Sequence, residues 1–180
     1  MSDIPEFKIT VTVAGKTQEF MLGTLPLQYV LGSIPDIPCY AGLFSAAAHH
    51  PAAAVRNAVA GQDNLPGDAV LSLATDPSAN VRARVVNSSI FRRAASEAML
   101  LKLIAGDPEV AEAIAGNVEM FENADAGTLC AAIAAHPDPS VRLALASNHG
   151  TPVKWLKKLR EDGARDVADC AQNMLASRSR

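Results

Sequence analysis

The feature that most constrains the fold of this 180-residue chain is a pattern of short helices that recurs along it. Residues 136–159 read HPDPSVRLALASNHGTPVKWLKKL and contain two helix starts, at Asp138 and Thr151, each followed by a proline. A polar side chain can accept hydrogen bonds from the free N–H groups of the first turn, and proline has no N–H to leave unpaired there. We therefore predict that Asp138 and Thr151 are helix N-caps.

The two helices of this segment are each amphipathic. In the second one we expect Trp155, Leu156 and Leu159 to face inward, because they follow a helical spacing, while the intervening lysines face water. Helices this short are not stable alone in water, so they must stack on neighbours.

Four other parts of the chain repeat the pattern with variations. In each copy one valine holds the same place in the first helix, and we call these residues the anchor valines. They are Val55, Val81, Val110, Val141 and Val167. Their separations of 26 to 31 residues are typical of proteins built from stacked helical repeats.

This sequence pattern closely resembles the leucine-rich repeat variant (LRV) type and, less closely, HEAT-like repeats. The match covers roughly residues 40–175 and is most specific over residues 136–159. The resemblance implies an all-α protein, a right-handed α-solenoid (superhelix) of about five short helix pairs, some of them 3-10 helices. The founding member also carries an amino-terminal cysteine cluster that binds an iron–sulfur centre. This chain has no such cluster, so no cofactor is expected.

The first part of the chain does not follow the repeat. Apolar and polar residues alternate within residues 5–22, which predicts a small N-terminal β-hairpin. The hairpin could cap the end of the repeat array, or its edge strand could pair with a second copy to form a homodimer. We predict residues 1–38 as a hairpin and Pro/Gly-rich capping segment, with a short helix around Leu27–Leu31, and residues 39–180 as the repeat domain.

Two central repeats contain longer connections than the others. In these two copies the connection from the anchor valine to the second helix is five residues longer. Each of the two connections carries large apolar side chains next to charged ones. Insertions at one position in successive repeats project on one face, which is often the binding face. The predicted partner-binding residues are Ile90, Phe91, Arg92, Arg93, Glu119, Met120, Phe121 and Glu122. The alternative is that Phe91 and Phe121 fold inward to fill space between Ala-rich helices.

An arginine follows the anchor valine in three copies, at Arg56, Arg82 and Arg142. These side chains could form a ladder that binds phosphate or carboxylate groups of a ligand. We favour the other interpretation, in which they bind acidic side chains or helix-end carbonyls within the stack.

Composition limits the remaining possibilities. Cys39, Cys130 and Cys170 are far apart, so we expect reduced, mostly buried thiols and no metal site. His50 and His136 occupy the same repeat position, which favours a structural role. No leader and no long apolar run is visible, so a cytoplasmic protein is expected.

The pattern favours a non-catalytic scaffold for protein–protein interaction, because no nucleophile, base and orienting group come together in it. The alternative is a nucleic-acid-binding or DNA-glycosylase-like HEAT-repeat protein, for which the arginines at 82, 84, 92 and 93 would supply charge. A net charge of −3 argues against general nucleic-acid binding. A tetrapyrrole lyase or chaperone is a third class, suggested only by the HEAT-like resemblance.

Overall fold

The computed structural model describes residues 7–178, except for the side chain of Val11. This part of the chain is mainly helical, as predicted, with one small antiparallel sheet at its N-terminal end. The α-helices are α1 (Thr24–Ser33), α2 (Ala41–Ala48), α3 (Ala53–Val59), α4 (Gly67–Leu73), α5 (Ala79–Val86), α6 (Ser89–Ala94), α7 (Glu97–Ile104), α8 (Pro108–Ala115), α9 (Ala126–Ala134), α10 (Pro139–Ser147), α11 (Val153–Leu159) and α12 (Arg165–Ser177). Two short 3-10 helices span Pro38–Tyr40 and Val118–Met120.

The predicted hairpin is present, with strands β1 (Phe7–Val13) and β2 (Lys16–Leu22). They are joined by a two-residue turn in which Ala14 and Gly15 have φ of 49° and 77°. Positive φ at both positions gives the twist that a two-residue hairpin needs, and glycine adopts it without strain. The base of the hairpin packs on the connection between α2 and α3, since the centroids of the Phe7 and His50 rings are 5.8 Å apart.

The helix after the hairpin is longer than the sequence predicted. The prolines and glycines of residues 23–38 predict only a short helix around Leu27–Leu31. In the structure α1 begins at Thr24, so Pro26 falls within the first turn. The N–H groups of that turn have no helical partner in any case, so proline is tolerated there.

The described helices belong to two compact units, one ending at Ser88 and the other beginning at Ser89. In the first unit α1, α3 and α5 pack in one row, and α2 and α4 lie beside them. In the second unit α8, α10 and α12 form one row, and α7, α9 and α11 form another. Each unit is therefore built from two layers of short helices, with its core between the layers.

The anchor valines lie in this core. All five, in α3, α5, α8, α10 and α12, have no exposed surface. Complete burial of a valine side chain contributes about 1.5 kcal/mol or more to the hydrophobic free energy of folding. The recurring valine therefore identified the inward face of every helix that carries it.

Helix starts follow the sequence signals in part. Asp138 is the N-cap of α10, and its carboxylate accepts a hydrogen bond from the Ser140 N–H at 2.9 Å. The prediction for Thr151 is wrong, because α11 begins after Pro152. The Thr151 hydroxyl instead donates to the carbonyl oxygen of Leu145 at 2.6 Å and is completely buried. It thus connects the end of α10 to the start of α11.

Trp155 also departs from its predicted place. Leu156 and Leu159 are buried as expected, whereas Trp155 is half-buried. The Nζ atoms of Lys154 and Lys158 lie 5.5 and 5.3 Å from its ring centroid. The indole therefore serves as an apolar platform for the two lysine side chains at the edge of the core.

The arginines that follow the anchor valines bind within the stack, as we favoured. In the first unit the Arg56 Nε and Nη2 atoms donate to the two Asp76 carboxylate oxygens at 2.6 and 2.9 Å. The remaining Arg56 nitrogen, Nη1, donates to the carbonyl oxygens of His50 and Pro51. Arg82 also donates to the main-chain carbonyl of Asp76.

A second copy of this arrangement, in the second unit, has the same geometry. The Arg142 Nε and Nη2 atoms donate to Asp162 at 2.7 and 2.9 Å, and Nη1 donates to the carbonyls of His136 and Pro137. In both copies the histidine Nδ1 accepts the N–H two residues later, at 3.1 Å. We call each arginine, together with the aspartate and the two main-chain carbonyls that it binds, an arginine clip. These histidines therefore have the structural role predicted from their repeat position.

A prediction follows for Thr151. Thr151→Val keeps the shape of the side chain but removes the buried hydrogen bond to Leu145, so the free energy of unfolding should fall by about 1 kcal/mol. Urea denaturation measures the change. Thr75→Val is the matched control, because the Thr75 hydroxyl also donates to a main-chain carbonyl but is exposed. Equal stability of Thr151→Val and the wild type would contradict the assigned hydrogen bond.

Candidate partner-binding surface

The two longer connections lie side by side in the second unit. The first forms α6 and the second contains the 3-10 helix Val118–Met120. The Glu122 N–H donates to the Arg92 carbonyl at 3.2 Å, and Asn123 Nδ2 donates to the Arg93 carbonyl at 2.5 Å. We call residues 90–93 and 119–122 the insert surface.

Two of the predicted binding residues are not available to a partner. Phe91 is completely buried and Phe121 is 4% exposed. Their rings meet edge to face, with centroids 6.3 Å apart and planes at 90°. The expectation that these phenylalanines project as apolar anchors is therefore wrong. The physical reason is that the small side chains of the surrounding helices leave room for them, and their burial removes a large apolar area from water.

The remaining residues of the insert surface reach water to different degrees. Ile90 and Arg92 are half-buried, and the Arg92 Nη1 donates to Asn117 Oδ1 at 3.2 Å. Arg93 and Glu122 are exposed.

Met120 is the large apolar residue that this surface presents. Its side chain is 48% exposed, and it stands between Glu119 and Phe121 in the chain. A thioether side chain is flexible and polarizable, so it adapts to the shape of an apolar pocket. The chemistry of the insert surface is thus an apolar centre with charged neighbours of both signs.

A third connection, residues 148–152, supports the insert surface from the other side. Asn148 Nδ2 donates to Glu119 Oε2 at 2.9 Å and to the Ala115 carbonyl at 3.0 Å. A Cβ atom added at Gly150 would overlap the Glu119 carboxylate. Glycine leaves room here for the Glu119 carboxylate, which is the end of an exposed and flexible side chain.

The second connection ends in a helix cap. Asp125 caps α9, accepting from the Thr128 N–H at 2.7 Å and from its hydroxyl at 3.0 Å. These hydrogen bonds lower the pKa of Asp125 below its usual value. The Asp125 N–H in turn donates to Glu97 Oε2 at 2.8 Å, which ties the loop to the start of α7. The backbone on both sides of Met120 is therefore held in place.

The cysteines and histidines do not assemble a site within residues 7–178. No three side chains of the His, Cys, Asp and Glu types stand close enough to hold a metal ion there. Cys130 is buried, and burial raises the pKa of its thiol to about 11. Cys170 is half-buried, and Cys39 is exposed, contrary to the expectation of mostly buried thiols.

No helix in this part of the chain combines the length and the apolar character needed to cross a membrane. Comparison with family models, with curated proteins and with solved structures found no match.

Sequence reasoning selected both connections but not the residues that fix them. Asn117, Asn123 and Asn148 supply side-chain hydrogen bonds that set the position of the loops. A partial signal was present, because an asparagine follows the first helix of three successive repeats. Such asparagines are common at helix ends, so their cross-loop partners could not be read from the sequence.

Proposed function

We propose that the protein is a non-catalytic scaffold of the LRV or HEAT-like type, a right-handed superhelix of short helix pairs that acts in the cytoplasm by binding another protein. Support for the repeat architecture comes from the five buried anchor valines and from the two identical arginine clips. A cytoplasmic setting agrees with three cysteines that are free.

The insert surface is the part of this scaffold that we propose binds the partner. The observation that carries the proposal is the 48% exposure of Met120 on a backbone held by hydrogen bonds from both sides. A surface ordered before binding loses less conformational entropy when the complex forms. An apolar centre with a charged rim is the usual anatomy of a protein interface.

The partner that fits is a protein with a shallow apolar pocket. Met120 would enter this pocket, and rim charges of the partner would face Glu122 and Arg93, which are exposed on either insert. Most of the binding energy would come from the buried centre, because exposed ion pairs contribute little.

The test compares partner recovery by two variants of equal charge change. The purified chain is immobilised, and proteins retained from an extract of the native cell are measured by quantitative mass spectrometry. Met120→Lys with Glu122→Lys should lower recovery of the partner at least tenfold, because a lysine cannot enter an apolar pocket without losing its hydration.

The matched control is Glu109→Lys with Gln172→Lys. Both residues are exposed, on α8 and α12, and the net charge changes by the same amount. The control should retain the partner at the wild-type level. Equal recovery by the two double variants would remove the insert surface from consideration.

A further inference from the structure

A second exposed apolar surface lies at the N-terminal end of the first unit and is separate from the insert surface. Most of the exposed large apolar residues of the described chain occur before residue 41. On the hairpin and α1 they are Val13, Phe20, Met21, Leu25 and Tyr29, with 46% to 71% of each residue exposed. Strand alternation places Val13 and Phe20 on one face of the hairpin and Met21 on the other, so apolar side chains are exposed on both faces. Such a cluster of exposed apolar residues indicates a contact surface.

Strand β2 presents an edge of backbone hydrogen-bonding groups beside this cluster. Among residues 7–178 its strand neighbour is β1, and the sheet has two strands. A two-residue turn closes on a pair that exchanges both hydrogen bonds, so Lys16, Gln18 and Phe20 direct their backbone groups toward β1. Thr17, Glu19 and Met21 therefore direct their N–H and C=O groups to the outer edge.

We infer that this edge pairs with the same edge of a second copy of the chain, so that two hairpins form one antiparallel four-stranded sheet about a twofold axis. An edge strand that carries exposed apolar side chains is suited to such pairing. About a twofold axis each contact occurs twice, and only the residue on the axis faces its own counterpart, so charge and apolar matching select the register.

Three registers place the axis at one of the three middle residues of β2. With Glu19 opposite Glu19, two like charges face each other, which is unfavourable. With Gln18 opposite Gln18, the exposed Phe20 faces a lysine, Lys16. With Phe20 opposite Phe20, the two rings meet on the apolar face of the sheet, and Glu19 lies opposite Met21. The last register covers the aromatic surface and separates the carboxylates.

The other face of the hairpin is compatible with this arrangement. Lys8 Nζ lies 2.9 Å from Glu19 Oε1, so each Glu19 keeps a cation within its own copy. The apolar face carries Phe7, Ile9 and Leu22, which are half-buried. The joined sheet would therefore have one mainly polar face, which also carries Met21, and one mainly apolar face, which also carries Lys16 and Gln18.

The available area agrees with a dimer contact. Together the five residues on the hairpin and α1 expose on the order of 500 Å² per copy, which is the upper limit of the apolar area that they can contribute. One side of a standard interface buries about 800 Å², and the paired backbone would supply part of the rest.

The first test is the mass of the wild-type protein in solution. We expect a dissociation constant of about a micromolar for the dimer. Sedimentation equilibrium or light scattering at a protein concentration of about 100 µM should therefore give twice the 18.8 kDa chain mass. Phe20→Lys places two lysines against each other at the axis and should weaken the dimer at least tenfold. Ile37→Lys is the control, because Ile37 is an exposed apolar residue outside the hairpin, and it should remain a dimer.

The second test reads the register. In a Cys39→Ser background, which removes the exposed native thiol, Phe20→Cys should form a covalent dimer on mild oxidation. Residues opposite each other at a non-hydrogen-bonded site have Cα atoms about 4.5 Å apart, within the range of a disulfide. Gln18→Cys is the control, since the inferred register separates its two copies along the strand.

Two results would overturn the inference. One is a wild-type protein that is monomeric at about 100 µM, because micromolar association would be evident at that concentration. The other is cross-linking of Gln18→Cys without cross-linking of Phe20→Cys. Neither result affects the insert surface, whose partner is measured separately.

Discussion

Phe91→Ala should lower the free energy of unfolding by about 4 kcal/mol, and Phe121→Ala by about 3 kcal/mol. Both rings are buried, so each truncation removes apolar surface from the core and leaves a cavity that the neighbours fill only in part. Chemical denaturation followed by circular dichroism measures the loss. The double variant should be close to unfolded, because such losses are comparable to the whole stability of a typical domain.

A double-mutant cycle on the same residues tests their edge-to-face contact. Because the rings meet at 90° with centroids 6.3 Å apart, the two losses should be coupled by about 1 kcal/mol. Met120→Ala is the control from the same connection, and its 48% exposure predicts a change within about 0.5 kcal/mol. If both phenylalanine variants were as stable as Met120→Ala, the inward packing described above would be wrong.

Arg142→Met should destabilise the second unit by about 3 kcal/mol. The side chains of Arg142 and Asp162 are only 15% and 9% exposed, so removing the guanidinium leaves a largely buried carboxylate without its cation. Two main-chain carbonyls also lose their donor. Urea denaturation of the variant against the wild type gives the loss.

The matched control uses an exposed arginine of the same unit. Arg160 lies 3.9 Å from Glu161, and both side chains are mostly in solvent. Arg160→Met should therefore change the free energy of unfolding by less than about 0.5 kcal/mol. A similar loss in both arginine variants would show that the clip contributes no more than a surface pair.

The pH dependence of the clip has a definite sign. Hydrogen bonds from Arg142 lower the pKa of Asp162 in the folded protein, although burial acts in the opposite direction. A carboxylate whose pKa is depressed on folding adds stability above its unfolded pKa of about 3.9, and that contribution is lost as pH falls through the folded pKa. The difference between the wild type and Arg142→Met should therefore be largest near neutral pH and shrink below about pH 4.

Local sequence patterns determined much of the architecture. The anchor valines were predicted by their periodicity, and all of them are buried. The hairpin and the N-cap at Asp138 were also identified, because strand alternation, turn residues and capping depend on residues that are close in sequence.

Tertiary structure decided the roles of residues whose partners are distant in sequence. Phe91 and Phe121 turn inward because each provides part of the other's surroundings, although thirty positions separate them. Gly150 leaves room for the carboxylate of Glu119, which comes from the preceding connection. Thr151 bonds to the carbonyl of Leu145 instead of capping α11.

The same limit applies to the surfaces. The sequence indicated that two connections contain candidate binding residues, but exposure depends on how the whole chain packs. In the folded protein Met120 is exposed, whereas the rings of Phe91 and Phe121 are buried. The periodic spacing of apolar residues predicts which side chains of a helix are buried when the helices pack. Which side chain of an irregular connection remains outside depends on the space that helices from other repeats leave beneath it.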